Sequence, residues 1–356
     1  VGWRFDKESF FPFNPDVVNM FKVRASYGEL GNENIGEYMY QAVMSRNNMT
    51  YNFNGNVVTG SAVSTFVDNN LAWEKKKTYN VGIDLALFRN RLEFTAEWYK
   101  NTSEDLLYAV PVPEQAGVSN TTVTMNAASM NNSGFEFSAT YRNRDHDFKY
   151  EVSANLSTLR NRVTSLGFGT DSYISGSYIT KVGEEIGQFY GWVYEGIART
   201  QEDLDNHATQ EGAQIGDCLY KDVNNDGKIT DDDREILGDN YPDFTYGFST
   251  NISYKGVSLS ASFSGVQGAQ VISFQNYYLL NMEGTCNQFA LAADRYNAVT
   301  NPDPAMYRAN IATTNKNTYG VSSYMINDAS YFRCTNITLN YNLPQILVLC
   351  VFNSQS

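Results

Sequence analysis

Between Thr78 and Lys100 apolar and polar positions alternate with a period of two. Val81, Ile83, Leu85 and Leu87 interleave with Gly82, Asp84 and Ala86, Arg89-Asn90 reverses the chain, and Leu92, Phe94, Ala96 and Trp98 interleave with Glu93, Thr95, Glu97 and Tyr99. Successive side chains on a strand point to opposite faces. The stretch therefore predicts a hairpin with one apolar face and one face of carboxylates and hydroxyls. In a soluble sandwich such a hairpin has a core on one side and water on the other. In an outer-membrane barrel it has lipid outside and a wet lumen inside.

The same pattern recurs along the chain. Phe21, Val23, Ala25 and Tyr27 alternate with Lys22, Arg24 and Ser26. A second hairpin is expected around the turn 143–147, with Phe135, Phe137, Ala139 and Tyr141 before it and Phe148, Tyr150, Val152, Ala154 and Leu156 after it. A third pairs Tyr246–Tyr254 with Val257–Phe263 about Lys255-Gly256, its second face being almost wholly Ser, Asn and Gly. A last strand runs from Tyr331 to Tyr341. This gives about nine strands. Their connections alternate between short (6–19, 89–90, 143–147, 255–256) and long (28–74, 102–131, 162–243, 265–328). Outer-membrane barrels have short periplasmic turns and long extracellular loops, whereas a sandwich has no reason to gather its long loops at one end. Aromatics also stand beside the short turns, at Phe5, Phe21, Phe88, Tyr141, Phe148, Tyr254 and Tyr341, as an interfacial girdle requires. The expected fold is all-β: part of an antiparallel transmembrane β-barrel with long extracellular loops.

Composition narrows this further. No apolar run approaches the ~20 residues of a membrane helix, so any spanning is by strands, and spanning strands must close. A net charge of −13 argues against a nucleic-acid binder, which needs basic patches. Cys218, Cys286, Cys334 and Cys350 are scattered with no CxxC pair, as ordinary packed or loop cysteines are. The first residues, VGWRF, already read as strand, and no signal peptide precedes them, so a fragment or a processed chain is expected.

The charge is concentrated. Residues 201–243 carry 13 acidic and three basic side chains, a net −10 of the chain's −13. Within them lies DVNNDGKITDDD, Asp222 to Asp233. As a calcium loop it places Asp222, Asn224 and Asp226 at positions 1, 3 and 5. Gly227 stands at the sharp turn, the Lys228 carbonyl at 7, Thr230 at 9 and Asp233 at 12. Ile229 should pack the loop onto the body. Asp at position 12 departs from the usual Glu and shortens the bidentate reach. No helix is expected before the loop; Asp231 to Leu237 can form two helical turns closed by Gly238. The expected role of Ca²⁺ is structural, as a clip on a loop too acidic to order itself. The competing account is a solvated acidic turn.

Catalytic signatures are missing. There is no GxSxG, GxxxxGK[ST] or HExxH; His146 and His207 stand alone, and Glu93 and Glu97 lie too far apart along a strand to act as an acid pair. No enzyme is expected.

Several stretches resemble the SusC/RagA-type TonB-dependent outer-membrane transporters found in Bacteroidetes, and specifically the C-terminal half of their barrel. They are FKVRASYGELGN (21–32), LAWEKKKTYNVGIDLALFRNRLEFTAEWYKNTSEDLLY (71–108), MNNSGFEFSATY (130–141), IGQFYGWVYEGI (186–197), GDCLYKDVNNDGKITDDDREILGDNYPDFTYGFSTNISYKG (216–256) and SSYMINDASYFRCTNITLNYNLP (322–344). The resemblance implies a barrel of about 22 strands with a plugged lumen in the outer membrane of a Gram-negative cell. It also implies import of oligosaccharides or peptides, a SusD-like surface lipoprotein over the mouth, and energy delivered by TonB. The plug domain, the TonB-contacting segment and the first barrel strands are absent here, and QILVLCVFNSQS after Pro344 departs from the family's aromatic-ended last strand. A runner-up remains: a secreted, calcium-stabilised β-rich protein that binds carbohydrate or mediates adhesion, with cores on its apolar faces. A barrel hydrolase, the third possibility, lacks a nucleophile and base. Loop aromatics that could stack on sugar rings are Tyr38, Tyr40, Tyr51, Phe274, Tyr277 and Tyr278. Aromatic enrichment at packed interfaces accounts for them as well.

Overall fold

A computed structural model describes residues 1–343 apart from 34–35, 47–49, 64, 113, 119–120, 168, 281, 283–286, 305 and 310–320. Cys286, Cys350 and the stretch after Leu343 lie outside the described residues.

The molecule divides into a wall and a cap. The wall is one antiparallel sheet whose strands follow chain order: β1 (Gly2–Arg4), β2 (Val18–Asn32), β3 (Glu74–Leu87), β4 (Leu92–Pro111), β5 (Thr122–Asn143), β6 (Phe148–Thr158), β7 (Phe244–Tyr254), β8 (Val257–Gln267) and β9 (Tyr331–Tyr341). A further strand, Arg160–Ser165, continues pairing with β5 above the end of β6. The sheet is open, with β1 and β9 at its edges.

Register carries one face across the whole wall. Val23 stands opposite Ile83, Ile83 opposite Ala96, and Ala96 opposite Phe137. Phe137 and Leu156, Leu156 and Tyr246, and Tyr246 and Gly265 continue the row. A one-residue slip in any pair would move that strand's apolar set to the other face. The apolar face stays open: Val81, Ile83, Phe135, Phe248, Ile337 and Leu339 are all exposed. The soluble sandwich required these side chains to form a core, and they do not.

The cap consists of the long connections and holds the buried cores. Trp192, Cys218, Tyr220, Ile229 and Tyr307 form one cluster. Phe189, Ile272, Val321 and Met325 form a second. Two small sheets, one of four strands within 172–238 and one pairing Tyr194–Ile197 with Cys218–Tyr220, give the cap its frame. No helix among the described residues is long and apolar enough to cross a membrane.

Four local expectations change. The turn between β3 and β4 takes Phe88, Arg89 and Asn90 through positive φ of 55°, 59° and 62°, beyond the two residues expected. The neighbouring chain holds it there: Phe88 donates its N–H to the Val17 carbonyl at 2.8 Å, and Asn90 to Asn19 Oδ1 at 2.9 Å. The connection expected at 102–131 is mostly strand, because β4 and β5 run 20 and 22 residues and leave only 112–121 between them. A bulge between Ser103 and Leu106, with Asp105 at φ 57°, breaks the alternation there. Third, Asp231 to Leu237 is not two helical turns. It is a single 3-10 turn, Asp231–Asp233, followed by the strand Glu235–Gly238, which pairs with Gln188–Gly191. Pairing in the small sheet outweighs the helical tendency of DDDREIL. Finally, the other long connections run 33–73, 159–243 and 268–330: the first is shorter at both ends than expected, the second begins three residues earlier, and the third is displaced by two to three residues toward the C-terminus.

Candidate functional site: the polar inner face and the acidic loop

The inner face of the wall is a network of charges. Arg24 lies over Gly82, where any Cβ would stand 2.9 Å from its guanidinium carbon. From there Arg24 reaches Glu97, Asp84 Oδ1 (3.4 Å) and Asn80 Oδ1 (3.5 Å). Nearer the short turns Arg142 donates to both oxygens of Glu93 at 3.1 and 2.8 Å, and Arg144 donates to Glu151 at 2.7 Å. Such pairing lets charged side chains line a lumen without facing lipid. Asn80, Glu97, Tyr99, Asn132, Glu136 and Asn161 line an inner-face cavity of about 620 Å³. Another, about 610 Å³, opens where wall meets cap and is bordered by Thr158, Arg160, Glu185, Asp239, Tyr241 and Asp243. Burial pushes the Glu185 carboxyl above its ordinary value, and Asp239 and Asp243 add to the rise. The sequence pattern placed Arg24 and Glu97 on the polar face but did not bring them together. Nothing in the spacing joined Glu185 to residues 239–243.

The long connections are locked to one another. Asp217, fully buried, accepts from Arg308 at 2.6 and 3.1 Å and from the Gln214 N–H at 2.8 Å. Such two-pronged recognition of a carboxylate is the strength of arginine. Trp192 donates its backbone N–H to Val321 and accepts from Ser323. The Val321 carbonyl sits so close to Gly191 that a Cβ there would meet it at 1.9 Å.

The acidic loop Asp222–Asp233 is closed by its own side chains. Asp222 accepts the N–H groups of Asp226 (3.3 Å) and Gly227 (2.8 Å). Asn224 Oδ1 accepts from Asp226 at 2.9 Å, and Asp226 from Lys228 at 2.8 Å. Gly227 takes φ 80°, as the sharp turn requires. Ile229 is buried against Trp192 and Tyr220, in the place its apolar character predicted. Trp192 Nε1 donates to the Thr230 carbonyl at 2.8 Å, tying the loop to the cap core.

Asp233 is fully buried. Its Oδ1 accepts from Val223 (3.0 Å) and Asn224 (3.4 Å), and its Oδ2 from the Thr230 N–H (2.7 Å) and hydroxyl (3.4 Å). These bonds form a capping box with Thr230. Burial pushes its pKa up, but the backbone donors outweigh it and hold the carboxyl below its ordinary value. A carboxylate offers about four lone-pair sites, and here all four have donors. Among the described residues no group of three or more His, Cys, Asp or Glu gathers closely enough to hold a metal. Half of a calcium loop's donors are Asn, Thr or backbone oxygens, which this loop carries at Asn224, Lys228 and Thr230. The donor set at Asp222, Asn224, Asp226, Lys228 and Thr230 is all hard oxygen and suits Ca²⁺.

Of the loop aromatics, Tyr38, Tyr40, Tyr51, Phe274 and Tyr278 are exposed; the side chain of Tyr277 lies outside the described residues. Cys218 is buried in the first cap cluster, its thiol pushed well up by burial, and Cys334 is exposed on β9.

The chain is similar to known proteins. Residues 1–344 match the family described as TonB dependent receptor-like, beta-barrel. TonB-dependent receptor P3 of Formosa agariphila is 33% identical over 97% of this chain and 34% of its own length. TonB-dependent receptor SusC of Bacteroides thetaiotaomicron is 26% identical over 97% of this chain and 34% of its own. The RagAB peptide importer in its open-open state superposes with a TM-score of 0.77 at 25% identity, covering 97% of this chain and 36% of that one. The chain thus spans about a third of the length of the curated relatives it matches. Those relatives are receptors, not enzymes, and they act in the outer membrane, where the wall's exposed apolar face meets lipid. Its strand order, its register and its relatives agree that the chain belongs to the TonB-dependent receptor-like β-barrel family.

Proposed function

We propose that the protein to which this chain belongs imports oligosaccharides or peptides across the outer membrane. TonB supplies the energy and a SusD-like lipoprotein covers the extracellular mouth. One observation supports this most: a charge-paired, hydroxyl-rich inner face opens at one end under a cap with its own cores. A wall of this kind gives a large polar solute a wet path and leaves recognition to the loops. Similarity to the RagAB peptide importer and to SusC supports the same account. The test is uptake of fluorescent oligosaccharides and oligopeptides by cells with and without the intact gene, each with TonB active and inactive. Uptake that is unchanged by loss of the gene, for both solute classes, rules the importer out. Co-purification of a surface lipoprotein with the intact protein tests the partner.

The acidic loop, in the same proposal, holds a structural Ca²⁺. Asp222, Asn224 and Asp226 supply side-chain oxygens, with the Lys228 carbonyl and Thr230 completing the set. Asp233 joins them by exchanging some of its backbone donors for the ion. Calcium would neutralise part of the loop's net charge. Protease digestion of the intact protein with calcium and with chelator tests this: residues 201–243 should be cleaved more slowly with calcium than with chelator. Equal cleavage in both sinks it.

A further inference from the structure

Register draws one line of short polar side chains across the inner face. Thr78 of β3 stands opposite Asn101 of β4, Asn101 opposite Asn132 of β5, and Asn132 opposite Asn161 of the strand Arg160–Ser165. Adjoining strands thus present a hydroxyl and three primary amides in a row. Neighbouring strands lie ~4.8 Å apart, so the three amides cover about 10 Å. All four residues border the inner-face cavity of about 620 Å³. The row ends where the wall meets the cap, since Asn161 Oδ1 accepts the Ile186 N–H at 3.0 Å.

The neighbouring lines supply a ring and two carboxylates. Asn80 stands opposite Tyr99, and Tyr99 opposite Gly134. Tyr99 lies across Gly134, where a Cβ would stand 2.7 Å from its hydroxyl oxygen, and donates to the Thr158 carbonyl at 3.1 Å. The absence of a side chain at 134 lets the ring lie along the sheet. Glu97 and Glu136 face each other in the next line, and Glu97 is held by Arg24. The fold does not use all of this capacity: Asn101 Oδ1 is buried without a donor, a costly state that a ligand hydroxyl relieves.

The chemistry of the row selects its ligand. A primary amide both donates and accepts, as a sugar hydroxyl does. Amides repeating at strand spacing suit hydroxyls that repeat along a chain of sugar rings. A carboxylate takes two neighbouring hydroxyls at once, and an aromatic ring packs the C–H face of a sugar. Among the residues that border the cavity there is no Lys, Arg or His. An anionic group, such as a uronate or a peptide's terminal carboxylate, would lose water there and find no cation.

We propose that Asn101, Asn132 and Asn161, with Tyr99 beside them, form a binding site for a neutral oligosaccharide on the lumen wall. The site rests on the importer reading above and narrows it to one solute class.

The test is uptake by cells that carry the intact gene. The fluorescent probes are neutral oligosaccharides from partial hydrolysis of starch, dextran, mannan, xylan and fructan, then oligogalacturonates, then tryptic peptides. The variants are Asn101→Ala and Asn132→Ala. Asn251→Ala is the control, an exposed amide on the same face but outside the cavity, opposite Glu151 and Ser260. All are compared at equal surface amount and equal heat resistance in detergent, which separates binding from folding. At least one neutral oligosaccharide should enter. Its half-saturating concentration should rise about tenfold in each row variant, as loss of one or two hydrogen bonds predicts. The maximal rate, and both values in Asn251→Ala, should stay at the wild-type level. Unchanged half-saturation in both row variants overturns the site. Entry of peptides or oligogalacturonates alone overturns the neutral ligand and leaves the importer standing. Entry of no probe overturns the importer and the site together.

Discussion

Wall and cap use the same side chains under opposite rules. On the wall, Val81, Ile83, Phe137 and Ile337 stand exposed, while the polar side carries the hydrogen bonds of Arg24, Glu97, Arg142 and Glu93. In the cap, Phe189, Trp192, Tyr220 and Ile229 are buried and Asp226, Asp231 and Asp232 are exposed, while Asp222 is half-buried and Asp233 fully buried. The difference is the solvent. Lipid gives no hydrophobic reason to hide the wall's apolar face, so backbone pairing and register hold the wall. Water surrounds the cap, so burial of apolar surface holds it. A mean hydropathy of −0.40 therefore describes neither region.

The largest effect expected from this contrast is in the cap. Trp192 is 3% exposed, its indole ties the acidic loop to the cap core, and its backbone pairs with Val321 and Ser323 of the last long connection. Trp192→Ala should cost about 3–5 kcal/mol of local stability, read as faster proteolysis of residues 186–238 and 268–328 with the wall still resistant to heat in detergent. If wall and cap melt together, they are one cooperative unit and the division fails. On the wall, Ile83→Arg should cost about 2–4 kcal/mol near the bilayer midplane. Thr95→Arg, on the inner face, should be mild. Urea titration of the intact protein in vesicles compares the two; equal losses would erase the distinction between faces.

How much of this the sequence disclosed depends on which rule a residue obeys. The period-two pattern located the wall strands because each side chain there has a single face to choose, and Val81–Leu87 and Leu92–Trp98 show it. It failed at Leu106-Leu107 because the bulge at Asp105 shifts the register, and Leu106 and Tyr108 turn toward Val163 and Leu166. The full length of β4 and β5 was hidden for the same reason. In the acidic loop, Gly227 and Ile229 were legible because a positive φ and an apolar position inside a polar run have few explanations. The four donors on Asp233 were not, since three of them are backbone groups and carry no residue signature. Nor was the Asp217–Arg308 pair, whose members are 91 residues apart. Pairs like this one arise from packing between loops, which no periodicity encodes.

Asp233 allows the finest test of the contrast, because its charge is buried without being lipid-facing. Its folded pKa lies below the ordinary carboxylate value, near 3.9 in an unfolded chain. A depressed pKa stabilises the fold at pH above the unfolded value, and that stabilisation is lost as pH falls through the folded one. The cap loop should therefore hold its protease resistance from neutral pH to about 4 and lose it below, while the wall keeps its heat resistance. Asp233→Asn keeps the shape but turns an amide N–H toward one set of backbone donors. Breaking those bonds should cost about 1–3 kcal/mol at neutral pH and flatten the acid dependence, since the titrating group is gone. A mutant loop that still weakens below pH 4 as steeply as the wild type would assign the acid sensitivity to another carboxylate of residues 201–243. It would also remove Asp233 as the residue that holds the loop shut.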